Sequence, residues 1–268
     1  ITAAAALETG VAGPATEFPD PVELELPGTT ATIQNYDDEV CLDGDTVTLA
    51  EAFVRSCNTT FGALGMAVGG EALATTAESF GFNQEIPYDL PVLPSVFPEP
   101  LDFAEDPPAT AQNALGQRDV RATPIQMALV SAAVANEGNI MVPFVVADVF
   151  THDGKIESTT EPELWRRAIS PASAAVLTDL MEQTVISGTG RNAAVPGLRV
   201  AGKTGTAEVT GAAPDVWFVG FAPVDPEPGQ RQIALAIVLE DGGPAGETAS
   251  GGSIAAPIAA DLFEVYLK

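Results

Sequence analysis

Residues 201–209 read A-G-K-T-G-T-A-E-V, a stretch that predicts a β-strand carrying one of the three lysines in the chain. Side chains alternate along a strand, so Lys203 is expected on one side and the hydroxyls of Thr204 and Thr206 on the other. Gly205 between them leaves room for a close backbone approach. One ammonium and two hydroxyls suit a carboxylate, and a free backbone N–H can receive an oxyanion.

The segments around this strand predict an α+β fold. Helix starts are marked by a capping box at Thr48 and by cap-plus-proline pairs at Thr123 and Ser170. A helix that lacks an N-cap opens the chain and ends at Gly10. Three strands and a last helix then follow, at Leu198–Val209, Val216–Ala222, Gln232–Leu239 and Ser253–Tyr266. This order predicts an antiparallel sheet beside a helical part.

Composition excludes several classes of protein. The 268 residues carry a net charge of −26, which repels nucleic acid and anionic lipid. The longest apolar stretches fall well short of the roughly 20 residues that span a bilayer. The two cysteines have no metal-ligand spacing and the single histidine lies in a predicted turn, so no metal site is expected.

A second polar cluster, Ser56-Cys57-Asn58, lies at a predicted break between two helices over residues 55–60. The Ser56 hydroxyl can relay a proton and the Asn58 amide can orient a carbonyl, if both face one cleft. Serine and asparagine are also ordinary helix caps, so this cluster alone is a weak signal.

Together and in this order, these clusters resemble the S-x-N and K-T-G motifs of the penicillin-recognising serine transferases. The chain is similar to the transpeptidase domain of a class B penicillin-binding protein of actinobacterial type. The resemblance runs through almost the whole chain, at S-C-N-T-T-F (56–61), A-L-G-Q-R-D-V-R-A-T-P-I-Q-M-A (114–128), A-N-E-G (135–138), G-T-G (188–190), A-G-K-T-G-T-A-E (201–208), W-F-V-G-F-A-P (217–223) and G-G-S-I-A-A-P-I-A (251–259).

The resemblance implies a penicillin-binding-protein or serine β-lactamase-like fold, with an antiparallel sheet flanked by helices and a helical subdomain. It implies a peptidoglycan D,D-transpeptidase that works through a serine acyl-enzyme and is acylated by β-lactams. Ser56, Asn58 and Lys203 are then the expected catalytic residues of this chain. Thr204, Gly205 and Thr206 are the expected substrate-binding residues.

The family's nucleophilic S-x-x-K motif is absent from these 268 residues. In the family it precedes a stretch like I-T-A-A-A-A-L, which is how this chain begins. We therefore expect residues 1–268 to form one transpeptidase domain without its leading strands and its nucleophile. The chain alone is expected to be inactive.

The resemblance also implies the partners and the compartment. The partners are a peptidoglycan stem peptide, β-lactam antibiotics, and a membrane glycan polymerase with other cell-wall or division proteins; no nucleic acid and no cofactor are implied. The implied location is the extracytoplasmic face of the membrane, with an N-terminal helix as anchor. In that oxidising compartment Cys41 and Cys57 are expected to pair, and two reduced, partly buried thiols are the alternative.

Two other functions are compatible with the sequence. A serine β-lactamase or β-lactam sensor shares the three motifs, but it needs a water-activating carboxylate that the sequence does not identify. A non-catalytic binding module of the cell-wall machinery would lack the nucleophile altogether.

Overall fold

The computed structural model describes residues 1–36, 39–42, 44–99 and 106–267. The helices are α1 (Thr2–Thr9), α2 (Leu49–Arg55), α3 (Asn58–Val68), α4 (Gly70–Ser79), α5 (Pro107–Ala114), α6 (Pro124–Ala135), α7 (Pro171–Ser187) and α8 (Ala256–Leu267). The strands are β1 (Glu17–Pro19), β2 (Glu23–Glu25), β3 (Thr32–Gln34), β4 (Thr46–Thr48), β5 (Asn139–Met141), β6 (Asp148–Phe150), β7 (Ile156–Thr159), β8 (Leu164–Arg167), β9 (Ala201–Ala207), β10 (Asp215–Ala222) and β11 (Ile233–Leu239).

The largest sheet of the described residues is three-stranded and antiparallel, in the order β11-β10-β9. Its register pairs Lys203 with Val219 and Gly205 with Trp217, so the K-T-G stretch lies on an outer strand. The three strands predicted from the sequence are confirmed, with ends that differ by a few residues. The α+β prediction is confirmed as well.

Helices cover both faces of this sheet and supply the core. Phe221 and Ala201 belong to a large cluster with Leu177 of α7 and Leu129 of α6. Phe218, which has the opposite strand parity, packs instead with Phe263 of α8. The apolar alternation of β10 therefore fixes which helix lies on which face.

The helix starts follow the local sequence signals. Thr48 and Glu51 form the predicted capping box at the start of α2. Thr123 and Ser170 cap α6 and α7, each with proline in the first turn. Helix α1 ends at Gly10, which adopts the left-handed conformation expected of it. These predictions are confirmed.

The described residues also form four small antiparallel ribbons, which pair β1 with β4, β2 with β3, β5 with β8 and β6 with β7. In the β6–β7 ribbon Asp148 pairs with Thr159 and Phe150 with Ile156. The β5–β8 pair was not predicted from the sequence. Within the described ranges, no helix is both long enough and apolar enough to cross a membrane.

Candidate active site

The Ser56-Cys57-Asn58 cluster forms a tight turn between α2 and α3. Ser56 adopts the left-handed conformation, with a φ of 65°. The Ser56 N–H donates a hydrogen bond to the carbonyl oxygen of Phe53, and the Cys57 N–H donates one to the carbonyl oxygen of Ala52. The last residues of α2 therefore hold the turn in place. The predicted break at 55–60 is confirmed but shorter, because α3 already begins at Asn58. A serine in this conformation is uncommon, and its surroundings must hold it there.

The fold brings Lys203 of β9 to this turn. Its Nζ donates a hydrogen bond to Ser56 Oγ at 2.7 Å and another to the Thr204 carbonyl oxygen at 3.0 Å. The same Nζ lies 5.8 Å from the centroid of the Phe53 ring. Residues 147 positions apart in the chain thus share one cleft.

Lys203 brings a positive charge to this cleft. Among the ion pairs of the described residues, none joins Lys203 to a carboxylate. The side chain is partly buried, and this burial lowers the pKa of its ammonium from 10.5 to about 8. At neutral pH the group stays mostly protonated and can bind an anion in a protein of net charge −26.

The two threonine hydroxyls lie on the opposite face of β9 from Lys203, as strand alternation requires. Thr204 Oγ1 is 2.6 Å from Thr189 Oγ1. Thr206 Oγ1 accepts a hydrogen bond of 3.4 Å from the Gly251 N–H, which leaves the Thr206 hydroxyl proton able to donate. Both hydroxyls therefore have fixed oxygens.

The backbone that closely approaches Gly205 is that of Gly251 in the same chain. A Cβ on Gly251 would lie 2.2 Å from the Trp217 carbonyl oxygen and 2.6 Å from that of Gly205. Only glycine permits this contact between the 250–252 turn and the sheet. The turn thereby fixes the position of β9 where Thr204 and Thr206 project.

Asn58 is held by a segment that sequence reasoning missed. Its Nδ2 donates to the Gln34 carbonyl oxygen at 2.9 Å, so the side-chain oxygen is oriented away from β3. The neighbouring Asn35 accepts from the Thr59 N–H at 3.1 Å and supplies the cap that Cys57 does not provide to α3. No local signal predicts this cap, because 24 residues separate donor and acceptor.

A disulfide joins Cys41 to Cys57, with their Cα atoms 5.6 Å apart. The buried carboxylate of Asp20 accepts hydrogen bonds from the Cys41 and Leu42 N–H groups at 2.9 and 2.6 Å. Residues 41–42 are therefore held by Asp20 and are also joined, through the disulfide, to the turn that presents Ser56. Asp20 was not a candidate residue, since its role depends on this contact.

Two other features lie outside the cleft. A cavity of about 460 Å³ beside Asp106 and Arg118 contains none of the candidate residues. Over the described part of the chain, no group of three or more His, Cys, Asp or Glu residues is arranged to hold a metal ion.

Sequence comparison shows which known proteins this chain is similar to. The sequence profile described as penicillin-binding protein transpeptidase domain matches residues 1–264. The chain is 41% identical to the peptidoglycan D,D-transpeptidase PbpA of Mycolicibacterium smegmatis and 37% identical to PbpA of Mycobacterium tuberculosis. Each alignment covers 100% of this chain and 53% of the relative, so the chain spans about half their length.

Solved structures agree with these relatives. The ceftriaxone acyl-enzyme complex of penicillin-binding protein A from M. tuberculosis superimposes with a TM-score of 0.90 at 36% identity. It matches 100% of this chain, which covers 59% of that structure. The D,D-transpeptidase domain of a peptidoglycan glycosyltransferase from Eggerthella lenta gives 0.84 at 36% identity, over 98% of this chain and 63% of that one.

Proposed function

The chain belongs to the penicillin-binding protein transpeptidase family, and from that premise we propose that residues 1–268 form the main part of a peptidoglycan D,D-transpeptidase domain. The observation that carries this proposal is the 2.7 Å hydrogen bond between Lys203 Nζ and Ser56 Oγ. It joins the two polar motifs of the chain in one cleft. The match to D,D-transpeptidases supports this function over a β-lactamase or a binding module.

The nucleophile is a serine from an S-x-x-K motif, which these 268 residues lack. We propose that a segment of the same protein outside the printed sequence supplies it with its lysine. The serine oxygen attacks the carbonyl carbon between the two terminal D-alanines of a stem peptide. A carbon–oxygen bond forms, the amide carbon–nitrogen bond breaks, and D-alanine leaves. An acceptor amine then displaces the serine oxygen and closes the cross-link.

Ser56 is placed to move the proton that this step needs. Because Lys203 Nζ donates to Ser56 Oγ, the oxygen already has a donor, and its own proton is free to reach the departing amine. The ammonium also favours a partly negative oxygen as that proton leaves. Asn58, oriented through its bond to Gln34, holds the amide of the substrate.

The substrate's terminal carboxylate is the anion that this cleft binds. Lys203 supplies the charge, and the hydroxyls of Thr204 and Thr206 supply donors on the outer strand. Two unit charges 4 Å apart attract by about 4 kcal/mol at an effective dielectric constant near 20. The N–H of Thr206 shares the oxyanion hole with the N–H of the nucleophilic serine. β-Lactams, which carry a carboxylate and a reactive amide, acylate the same serine.

The surroundings of the enzyme follow from this reaction. The substrate is found outside the cytoplasm, so we propose that the domain works at the extracytoplasmic face of the membrane, held by an anchor outside the printed sequence. A membrane glycan polymerase is the proposed protein partner, since it makes the strands to be cross-linked. Other cell-wall or division proteins are further proposed partners.

Replacing Lys203 in the longer protein that carries the nucleophile tests this function. We expect Lys203→Ala to lower the rate constant for acylation by a fluorescent penicillin by about one to three orders of magnitude, because the anion loses its counter-charge. The matched control is Lys155→Ala, since Lys155 is exposed and paired with Asp153 in a turn. Equal rates in a folded Lys203→Ala protein would contradict the assignment, and a wild-type protein that is never acylated would refute the function itself.

A further inference from the structure

The G-T-G stretch at 188–190 lies beside β9, with Thr189 exposed, but has no role in the chemistry described so far. It connects α7 to the segment that leads into β9. Resting on the proposed function, we propose that Thr189 is a positioning residue, whose hydroxyl orients the Thr204 hydroxyl toward the carboxylate of the substrate. Thr189 acts through Thr204 and is not assigned a contact with the reacting atoms.

The hydroxyls of Thr189 and Thr204 are in direct contact. Thr189 Oγ1 and Thr204 Oγ1 are 2.6 Å apart, a short hydrogen bond in which one of them donates. A carboxylate can only accept, so the Thr204 proton must point at the anion when it binds. The Thr189 proton must then point at the Thr204 oxygen. When the anion binds, the hydrogen bonds therefore run in one direction: Thr189 donates to Thr204, and Thr204 donates to the carboxylate.

This direction strengthens the bond to the anion. A hydroxyl that accepts a hydrogen bond becomes a better donor, because each bond polarises the next. Without the Thr189 hydroxyl, the Thr204 proton is free to rotate and has no partner that favours the productive direction. The Thr189 hydroxyl therefore contributes to anion binding without a contact of its own.

The backbone holds Thr189 firmly enough for this role. The Thr189 N–H donates to the Val54 carbonyl oxygen, close to the end of α2 that leads into Ser56. A Cβ on Gly188 would lie 2.3 Å from that same oxygen, so the residue before Thr189 must be small. On the other side, a Cβ on Gly252 would lie 2.4 Å from the Thr189 carbonyl oxygen.

These contacts place Thr189 where two catalytic segments meet. Its backbone touches the helix that presents Ser56, and its hydroxyl touches the strand that presents Lys203 and Thr204. Asn192 secures the third segment, since its Nδ2 donates to the Gly252 carbonyl oxygen at 2.8 Å. The loop therefore has one fixed position relative to the carboxylate-binding strand.

The test uses Thr189→Val, which keeps the shape and removes the hydroxyl, in the longer protein that carries the nucleophile. We expect its acylation rate constant with a penicillin that has a free carboxylate to fall by about two- to tenfold, the effect of one lost hydrogen bond between two neutral hydroxyls. The methyl ester of the same penicillin should react equally with wild type and variant. Thr189→Ser should restore the rate, and Thr75→Val, at an exposed threonine of α4, is the control.

A double-mutant cycle separates positioning from a merely structural role. If Thr189 acts through Thr204, the double variant should be no slower than Thr204→Val alone. Effects that add, or an equal loss with the free acid and the ester, would overturn the proposal. Wild-type protein that does not react with either penicillin would refute the proposed function instead, so the two failures are distinct.

Discussion

Replacing Lys203 with methionine tests the charge of the site through the stability of residues 1–268. The measurement needs no nucleophile, because it follows unfolding and not acylation. Burial lowers the pKa of Lys203 from 10.5 to about 8, so the folded protein binds this proton less tightly than the unfolded chain. A base with a lowered pKa destabilises the folded state wherever it is charged in both states. Methionine keeps the length of the side chain and removes the charge.

The loss of stability caused by Lys203 follows from the lowering of its pKa. A pKa that falls from 10.5 to about 8 corresponds to about 3 kcal/mol less free energy of unfolding at neutral pH. The penalty is complete below the folded pKa. It disappears as the pH rises toward the unfolded pKa, because there the unfolded chain still holds a proton that the folded protein has released. Stability therefore rises with pH in this window.

The measurement compares urea unfolding of wild type and Lys203→Met over a pH series at constant salt. We expect the free energy of unfolding of wild type, relative to the variant, to rise by about 2 kcal/mol between pH 7 and pH 9.5. Carboxylates stay ionised throughout and cancel in the difference. Lys155→Met, at an exposed ion pair, should show no such trend. A difference that stays flat with pH would mean that Lys203 titrates like a surface lysine, and the electrostatic description of the cleft would be wrong.

Four further outcomes are expected. Acylation of the longer protein by a penicillin should weaken as the pH rises through about 8, where Lys203 loses its charge; a rate that is constant to pH 9.5 contradicts this. The printed chain alone should give no penicillin-labelled band on a denaturing gel, because it lacks S-x-x-K. Native protein should show no free thiols, and reduction of Cys41–Cys57 should lower the free energy of unfolding by roughly 3 kcal/mol; two thiols titrated before reduction would exclude the bond. Gly251→Ala should lower stability and acylation together through its clash with the sheet, whereas Gly13→Ala, in open space, should change neither.

The sequence by itself determined the elements whose signals are local. The capping residues Thr48, Thr123 and Ser170 mark helix starts because a hydroxyl and the first-turn N–H groups lie within three residues of each other. Strand alternation in β9 placed Lys203 and the two threonine hydroxyls on opposite faces in the same way. The motif order also indicated the family, since each motif is short and readable by itself.

Only the tertiary structure decided which groups meet in the cleft. The Lys203–Ser56 bond, the Asn35 cap on α3 and the Thr189–Thr204 pair each join segments well separated in the chain. The periodicity of apolar residues in the sequence does not predict such pairs, because loop closure and core packing bring their members together. Helix α7 packs against both β9 and α2, and this packing sets the distance at which the Lys203 ammonium reaches the Ser56 hydroxyl.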